Sequence, residues 1–294
     1  MHELVASIIQ GIVEGLTEFL PVSSTAHIIL AQEFLGLDRT DAFWKMFTVV
    51  IQLGAILSVV VYFRQKIYRF GVSFIDVFRA NSHPDSTDEK PVSSLPTAWY
   101  RHPFCMVMIS FVVTAVPCFI IDKKIGENME RLDFIAWALI LGGLAMIAID
   151  RIFADKARTD QIEKMSLVQA IAIGLFQILA AAFPGTSRSM STIAGGQVFG
   201  LTRSAALEFS FFLAIPVMFA AACYKLLKHL LEHPMPSGNQ WLNLVAGFVT
   251  SFVVAYAVIA WFMQWVRTRG FIPFAAYRFI AGAALLWWAY RSGS

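Results

Sequence analysis

Seven long stretches of this chain contain no Asp, Glu, Lys or Arg, and this distribution of charge restricts the fold more than any other feature. They are Met46–Phe63, Phe104–Ile121, Phe134–Ile149, Met165–Ser187, Phe209–Tyr224, Gln240–Val266 and Phe279–Tyr290. Only 15% of the 294 residues are charged, whereas soluble proteins carry about 25% charged residues. Since a membrane-spanning helix needs about 20 mostly apolar residues, the sequence predicts an all-α integral membrane protein.

Six apolar segments are long enough to be full membrane-spanning helices. Their approximate bounds are 43–63, 104–122, 134–152, 205–228, 240–265 and 273–290. Two further apolar segments, about 4–35 and 166–200, are interrupted near the middle by Pro21-Val22-Ser23-Ser24 and by Pro184-Gly185-Thr186-Ser187. Because Pro ends a helix and a following Ser or Thr caps a new one, each is predicted to be a re-entrant hairpin of two half-helices.

The two predicted hairpins resemble each other at an offset of 163 residues. Several residues align in identical or similar pairs: Gly11 with Gly174, Glu14 with Gln177, Pro21 with Pro184, Ser23 with Thr186 and Ser24 with Ser187. In each copy the hairpin precedes three spans, which is an odd number of crossings. The second copy is therefore predicted to have inverted topology.

We accordingly predict one membrane domain, 1–294, that contains two repeats. The first repeat, 1–153, has a hairpin, three spans and a flexible cytoplasmic loop at about 66–101. The second, 166–292, has a hairpin and three spans. Within the first hairpin, Gly11 and Gly15 have the spacing that permits close helix packing.

Basic residues are concentrated in segments 64–103, 151–166 and 267–269. The positive-inside rule assigns these segments to the cytoplasm, which puts both termini outside and brings the two hairpin tips together near mid-membrane. The net charge of +3 is too small to indicate a nucleic-acid partner, and the three cysteines are scattered along the chain. Their spacing fits neither a zinc site nor a disulfide framework.

Glu14 and Glu18 are the most unusual charges in the chain. Side chains four residues apart share a helix face, where two carboxylates repel each other, and each costs roughly 2.5–3.5 kcal/mol at the centre of a membrane. A solvated polar face is the alternative, but the surrounding residues are almost all apolar. The pair is therefore predicted to hold a cation, a proton or a substrate.

The predicted hairpin tips place helix N-termini inside the membrane, and such termini bind anions. Arg188 follows the second tip, and its planar guanidinium suits bidentate binding of phosphate. The alternative for Arg188 is an extended side chain that reaches the interface, which the preceding charge-free run disfavours. For Arg278, near a span end, we expect this snorkelling.

Hydroxyl groups cluster at the first tip, in Ser23, Ser24 and Thr25. Each has simple helix capping as an alternative role, and for Ser24 the roles of cap and nucleophile are equally favoured. His27 follows three residues later, on the same helix face, which makes it a candidate general acid or base. Glu208, at the start of a span, is interpreted as structural or as a group that positions the residues of the site.

At these residues the chain resembles the undecaprenyl-diphosphate phosphatase family of the bacitracin-resistance type. The segment from Glu14 to Thr25, EGLTEFLPVSST, matches that family's first motif almost letter for letter. The segment from Pro184 to Ser189, PGTSRS, matches the second motif. The likeness continues through Glu208–Phe211 and Phe271–Phe274, so that it covers essentially the whole chain.

The resemblance implies an enzyme that hydrolyses undecaprenyl diphosphate to undecaprenyl phosphate and inorganic phosphate. It would recycle the lipid carrier for peptidoglycan synthesis in the bacterial inner membrane, confer bacitracin resistance, and open to the outer, periplasmic face. A divalent cation, Mg²⁺ or Ca²⁺, is the implied cofactor. The expected partners are the polyprenyl diphosphate lipid and the bilayer, and a homodimer is left open.

Site roles follow from the resemblance residue by residue. Glu14 and Glu18 would bind the metal or act in acid–base roles, Ser24 would be the nucleophile, His27 would assist and Arg188 would hold phosphate. The residues that would line the site are Ser23, Thr25, Ser187, Ser189 and Thr192. Ala26 and Met190-Ser191 depart from the family's small residues and are expected to narrow the tip.

Two other functions account for part of the sequence. Inverted repeats with broken helices also occur in transporters, so a lipid-phosphate flippase using the same anion site is the main alternative. A dimeric structural membrane protein is the third, but it leaves the apolar setting of Glu14, Glu18 and Arg188 unexplained.

Overall fold

Eleven α-helices make up nearly all of the chain that the computed structural model describes, namely residues 2–82, 99–125 and 131–292. They are α1 (His2–Thr17), α2 (Ser24–Phe34), α3 (Ala42–Tyr62), α4 (Arg64–Ser82), α5 (Pro103–Ile125), α6 (Leu132–Phe153), α7 (Leu167–Ala182), α8 (Arg188–Val198), α9 (Arg203–Glu232), α10 (Gly238–Thr268) and α11 (Ile272–Ser292). Within these ranges the only β pairing is an isolated bridge between Thr159 and Leu201.

Six of the helices, α3, α5, α6, α9, α10 and α11, are long and apolar enough to cross a membrane. They coincide with the six predicted spans, which confirms that part of the sequence analysis and identifies a multi-pass membrane protein. At 1.5 Å per residue, the 30 residues of α9 and the 31 of α10 are longer than a hydrocarbon core of about 30 Å requires.

The helical breaks also occur where they were predicted, between α1 and α2 and between α7 and α8. Each pair of short helices packs together. The new helix begins after Ser23 in one case and after Ser187 in the other, and these are the only described non-glycine residues with positive φ, at 74° and 75°. The re-entrant path of the two pairs through a bilayer stays a prediction.

Helix pairing in the first half of the chain recurs in the second half. The contact of α1 with α10 has its counterpart in α7 with α5, and that of α3 with α10 has its counterpart in α9 with α5. The remaining large contacts, α3 with α9 and α6 with α11, join helices that would be equivalent. This pattern supports two repeats, although their proposed boundaries and inverted orientation stay predictions.

Close backbone approach explains the glycines in the first half of each broken segment. A Cβ on Gly11 would lie 2.6 Å from the Gly247 carbonyl oxygen, and one on Gly15 would lie 2.8 Å from that of Ser251. In the other half of the structure, a Cβ on Gly174 would lie 2.7 Å from the Ser110 carbonyl oxygen. The predicted packing role of Gly11 and Gly15 is therefore confirmed.

The prediction of a flexible loop at about 66–101 is wrong for its first part, because residues 64–82 form α4. Phe70 on this helix is buried in the main core. Lys66 on the same helix binds Glu163 at 2.8 Å and Glu208 at 2.6 Å, so that α4 is tied to the start of α9. Glu208 has the structural role expected of it, and positions 83–98 of the predicted loop lie outside the described residues.

Alanine substitutions should test the helix packing. Gly11→Ala and Gly174→Ala each push a methyl group into a carbonyl of the neighbouring helix, so each should lower stability by about 1–3 kcal/mol. Gly71→Ala is the control, because a Cβ there meets no atom within 4 Å. Thermal unfolding in detergent should show lower midpoints for the first two variants only; an unchanged midpoint for both would contradict the packing argument.

Candidate active site

A cavity of about 510 Å³ lies where the two helical breaks meet, and we call it the central cavity. Polar side chains from both breaks line it, namely Glu18, Ser23, Ser24, Thr25, Gln177, Ser187 and Arg188. The rest of its wall is mostly apolar and comes chiefly from α5, α7 and α9, and it also includes Gln52 of α3, Thr114 and Lys225. The structure therefore brings the predicted carboxylate, hydroxyl and guanidinium groups to one place.

Glu18 connects the hydroxyl group to the guanidinium group. The Ser24 hydroxyl donates to Glu18 Oε2 at 2.5 Å, and Arg188 Nη2 donates to Glu18 Oε1 at 3.3 Å. One carboxylate thus accepts from the candidate nucleophile and from the candidate phosphate ligand. A carboxylate so placed can take the serine proton, while Arg188 keeps its charge next to the point where the proton leaves.

Arg188 is held inside the protein and does not extend to the membrane surface. Its Nη1 donates to the Ser210 carbonyl at 3.0 Å, and its guanidinium lies 5.8 Å from the centre of the Phe19 ring. Its Nε is buried and has no hydrogen-bond partner. Since a buried unpaired donor is costly, this N–H is available to an oxygen of a bound ligand.

Glu14 lies one helical turn before Glu18, whose backbone N–H donates to the Glu14 carbonyl at 2.9 Å. Glu14 is only 3% exposed, and its carboxyl group interacts electrostatically with that of Glu18. Its counterpart in the second half, Gln177, is 2% exposed, and neither its amide oxygen nor its amide nitrogen has a partner. Gln177 lines the central cavity. The sequence alignment paired it with Glu14 but gave it no role, and its unpaired amide marks it as a ligand-facing group.

The ring nitrogens of His27 contact residues other than Ser24. Its Nδ1 lies 2.7 Å from the Ser23 carbonyl oxygen, and its Nε2 lies 2.5 Å from the Tyr277 hydroxyl. The Tyr277 ring also stacks on the imidazole at 5.5 Å. Tyr277 was not identified from the sequence, because 250 residues separate it from His27 and no local pattern marks it.

The predicted lining residues fall into two groups. Ser23, Thr25 and Ser187 line the central cavity. Ser189 and Thr192 are fully buried and direct their hydroxyls to protein atoms: Ser189 donates to the Leu20 carbonyl at 2.8 Å, and Thr192 lies 2.6 Å from the Ser210 hydroxyl. These two side chains hold the breaks in position and do not line that cavity.

The expectation that Arg278 snorkels is wrong. Arg278 is fully buried, and its guanidinium donates to the carbonyls of Pro21 at 3.1 Å and Gly185 at 3.3 Å, one in each break. It also donates to Leu139 at 3.1 Å and Ala138 at 2.9 Å on α6. Carbonyls at a helix break need donors that the helix does not provide, and a snorkelling side chain would leave them unpaired.

Ala26 and Met190 do not narrow the central cavity as expected. Ala26 is buried against α6 and α11, in a cluster with Ile135 and Leu285. Met190 is buried in the main core. Neither side chain is among the residues that line the cavity.

The site contains oxygen donors suited to a hard divalent cation. Glu14 and Glu18 are adjacent carboxylates with Ser24 beside them, and Mg²⁺ or Ca²⁺ takes carboxylate, hydroxyl and amide oxygens. The described residues contain no group of three or more His, Cys, Asp or Glu that could hold a metal. A cation bound here would therefore take part of its coordination from water or from substrate phosphates, as Mg²⁺ commonly does.

Known proteins of one kind match this chain along its whole length. The model of the family described as "Bacitracin resistance protein BacA" matches residues 7–284. An undecaprenyl-diphosphatase of Koribacter versatilis is 49% identical, with 99% of this chain and 100% of the relative covered. Proteins of the same name from Novosphingobium aromaticivorans and a Thermoanaerobacter species are 41% and 38% identical, with 98% and 97% of each chain covered.

The role of Arg278 leads to a stability prediction. Arg278→Lys keeps the charge but loses the planar donors that reach both breaks, so we expect it to lower stability by about 2–4 kcal/mol. Arg291→Lys is the matched control, because Arg291 is exposed at the other end of α11. Thermal unfolding in detergent measures both, and equal midpoints for Arg278→Lys and the parent would contradict the bridging role.

Proposed function

This chain belongs to the bacitracin resistance protein BacA family, and we propose that it is an undecaprenyl-diphosphatase. It hydrolyses undecaprenyl diphosphate to undecaprenyl phosphate and inorganic phosphate. The observation that carries the proposal is the hydrogen-bonded chain from Ser24 through Glu18 to Arg188, inside a cavity between apolar helices. A diphosphate needs cationic and N–H groups, and a polyprenyl chain needs an apolar path.

The central cavity suits a substrate with these two parts. Its polar end is made by the two helical breaks, and its apolar part is made by α5, α7 and α9. Phe119 and Tyr224, which line this apolar part, are 77% and 57% exposed on the outer surface of the bundle. We assign the polar end to the diphosphate and the apolar part to the first isoprene units, whose remainder continues into the bilayer.

Ser24 attacks the terminal phosphorus of the diphosphate in this mechanism. Glu18, 2.5 Å from the hydroxyl, takes the proton as the new O–P bond forms. The bond from phosphorus to the bridging oxygen breaks, and undecaprenyl phosphate leaves. Glu18 gives the proton to the departing undecaprenyl phosphate. Water then attacks the phosphoserine and Glu18 takes one of its protons. The bond from the Ser24 oxygen to phosphorus breaks, Glu18 returns the proton to that oxygen, and inorganic phosphate leaves. Attack by water that Glu18 activates is the alternative route. His27 does not line the central cavity, and its two ring nitrogens contact Ser23 and Tyr277.

The negative charge on the phosphoryl group would be stabilised by donors that are already in place around the proposed site. Arg188 has an unpaired buried Nε–H that can bind a phosphoryl oxygen, and the start of α2 adds backbone N–H groups. Such prearranged donors commonly contribute about 10²–10³ in rate. Gln177, on α7 before the second break, provides an uncharged donor.

Glu14 and Glu18 would hold a divalent cation, which supplies neutralisation of the phosphate charge when it is bound. Glu18 Oε2 accepts from Ser24 and its Oε1 accepts from Arg188, so a cation would bind the remaining lone pairs of these two oxygens. Glu14 forms no ion pair within 4 Å among the described residues, although the charges of Glu18 and Arg188 act on it. A bound cation would give it a close partner of opposite charge.

We further propose that the protein resides in the bacterial inner membrane with both termini and the site opening outside. The basic segments support this orientation. Lys66 contacts Glu208 near the start of α9, whereas Lys225 near the end of that helix lines the central cavity. The opening is therefore remote from the end of the bundle assigned to the cytoplasm. Lipid-carrier recycling and bacitracin resistance follow from the activity, while a homodimer stays a prediction.

Removing the Ser24 hydroxyl tests the reaction directly. With purified protein in detergent and a long-chain prenyl diphosphate, Ser24→Ala should reduce phosphate release about a thousandfold or more. Ser204→Ala, at the start of α9, is the control and should retain parent activity. Full turnover by Ser24→Ala would exclude the serine route. Absence of release by the parent would favour a flippase, since detergent leaves no compartments to transport between.

Chelation tests the proposed cation site. A chelator should abolish phosphate release by the parent, and added Mg²⁺ or Ca²⁺ should restore it. Glu14→Gln removes one proposed ligand, so it should raise the cation concentration for half-maximal rate about tenfold or more. Glu33→Gln, an exposed carboxylate at the end of α2, should leave that concentration unchanged. Chelator-resistant release would contradict the proposed cofactor.

A further inference from the structure

A second cavity, of about 470 Å³, adjoins the active site and has a different chemical character. Four cationic side chains line it, Arg39, Lys45, Lys225 and Lys228, together with His229 and His233. Glu14 and Glu232 are its carboxylates. We call this cavity the basic vestibule.

The basic vestibule and the central cavity share one wall. Ser24, Thr25, Gln52 and Lys225 line both of them. The candidate nucleophile thus lies between the polar end of the central cavity, whose remaining wall is mostly apolar, and the basic vestibule. A group released at Ser24 can enter either cavity, and its charge decides which one is favourable.

The four cations of the basic vestibule outnumber its two carboxylates, Glu14 and Glu232. Within the described ranges none of Arg39, Lys45, Lys225 and Lys228 forms an ion pair within 4 Å. Arg39 Nη1 is buried without a hydrogen-bond partner. Asp38 and Asp41, in the adjoining loop, interact electrostatically with Lys45 and His229, but neither carboxylate lines the vestibule. The unpaired donors on its wall lack an anionic partner.

We propose that the basic vestibule is a second phosphate site, in which a phosphate group binds beside Ser24 and separately from Arg188. The inference rests on the proposed phosphatase activity. Inorganic phosphate leaving the active site is one source of this group, and the headgroup of an arriving lipid diphosphate is the other. Both are multiply charged oxyanions, which Arg and Lys bind through charge-assisted hydrogen bonds.

Charge variants distinguish the two sources. Lys45→Gln and Lys228→Gln each remove one vestibule charge, whereas Lys156→Gln removes an exposed charge beyond α6 and is the control. Glu232→Gln removes the exposed vestibule carboxylate and should have the opposite effect. All four positions are exposed, so the variants should fold.

The assay follows the prenyl products by chromatography, with orthophosphate added at constant ionic strength. If the site takes free phosphate, the inhibition constant of orthophosphate should rise about fivefold in each lysine variant and fall in Glu232→Gln. If it takes the headgroup, the KM for the lipid should rise instead, at an unchanged kcat. Equal constants in the parent and all variants would overturn the proposal.

A binding measurement keeps this test separate from the activity. Orthophosphate should raise the unfolding temperature of the parent, and of Ser24→Ala, more than it raises that of the lysine variants. If the parent released no phosphate from the lipid, the proposed function would fail. The thermal comparison would still show whether the basic vestibule binds phosphate. Identical phosphate-induced shifts in the parent and the lysine variants would overturn the phosphate site.

Discussion

Two arginines hold the active site together, and the rest of the arrangement depends on them. Arg278 is fully buried, and the Arg188 side chain is 13% exposed. Arg278 binds the Pro21 and Gly185 carbonyls, while Arg188 binds Glu18 across the same junction. A charge at this depth costs several kcal/mol unless it is paired and hydrogen-bonded. Each arginine is therefore stable only when both helical breaks are in place, which links the position of Ser24 to that of Arg188.

The two helical breaks have similar backbone conformations, but their functional side chains differ. Ser23 and Ser187 both precede a helix with positive φ, a conformation that costs of order 1–3 kcal/mol in a non-glycine residue. Counted from these residues, Ser24 and Arg188 occupy the same place, the first residue of α2 and of α8. The nucleophile and the phosphate ligand are thus equivalent positions of two related breaks, and the carboxylates Glu14 and Glu18 lie on one side only.

This comparison also corrects the alignment made from the sequence. An offset of 163 residues relates the helices before the breaks, but Ser187 follows Ser23 by 164. The second break has one residue more between its Pro and its capping Ser, and it includes Gly185 at φ 91°. A sequence offset aligns the prolines and cannot reveal where the backbone turns.

Other features divide in the same way between local and distant causes. The spans and the breaks were predictable because composition, proline and capping residues act over a few positions. Glu18 and Arg188 are 170 residues apart, and their meeting was predictable only because the two breaks belong to an internal repeat that brings their tips together. The helical state of 66–82 and the burial of Arg278 were not, because each depends on partners more than 90 residues away, such as Glu208 for Lys66 and Gly185 for Arg278. Tyr277 and Gln177 belong to the same group.

The apolar surroundings that make the site reactive also restrict how its products leave. A low dielectric strengthens the hold of Arg188 on phosphate, and it makes the apolar part of the central cavity unfavourable for a free phosphate ion. The polyprenyl monophosphate avoids this problem, because its tail already lies among apolar side chains. Ser24 borders both cavities, so undecaprenyl phosphate and inorganic phosphate can leave it in different directions. In the proposed phosphate site, the cations of the basic vestibule lower the free energy of the inorganic phosphate as it leaves.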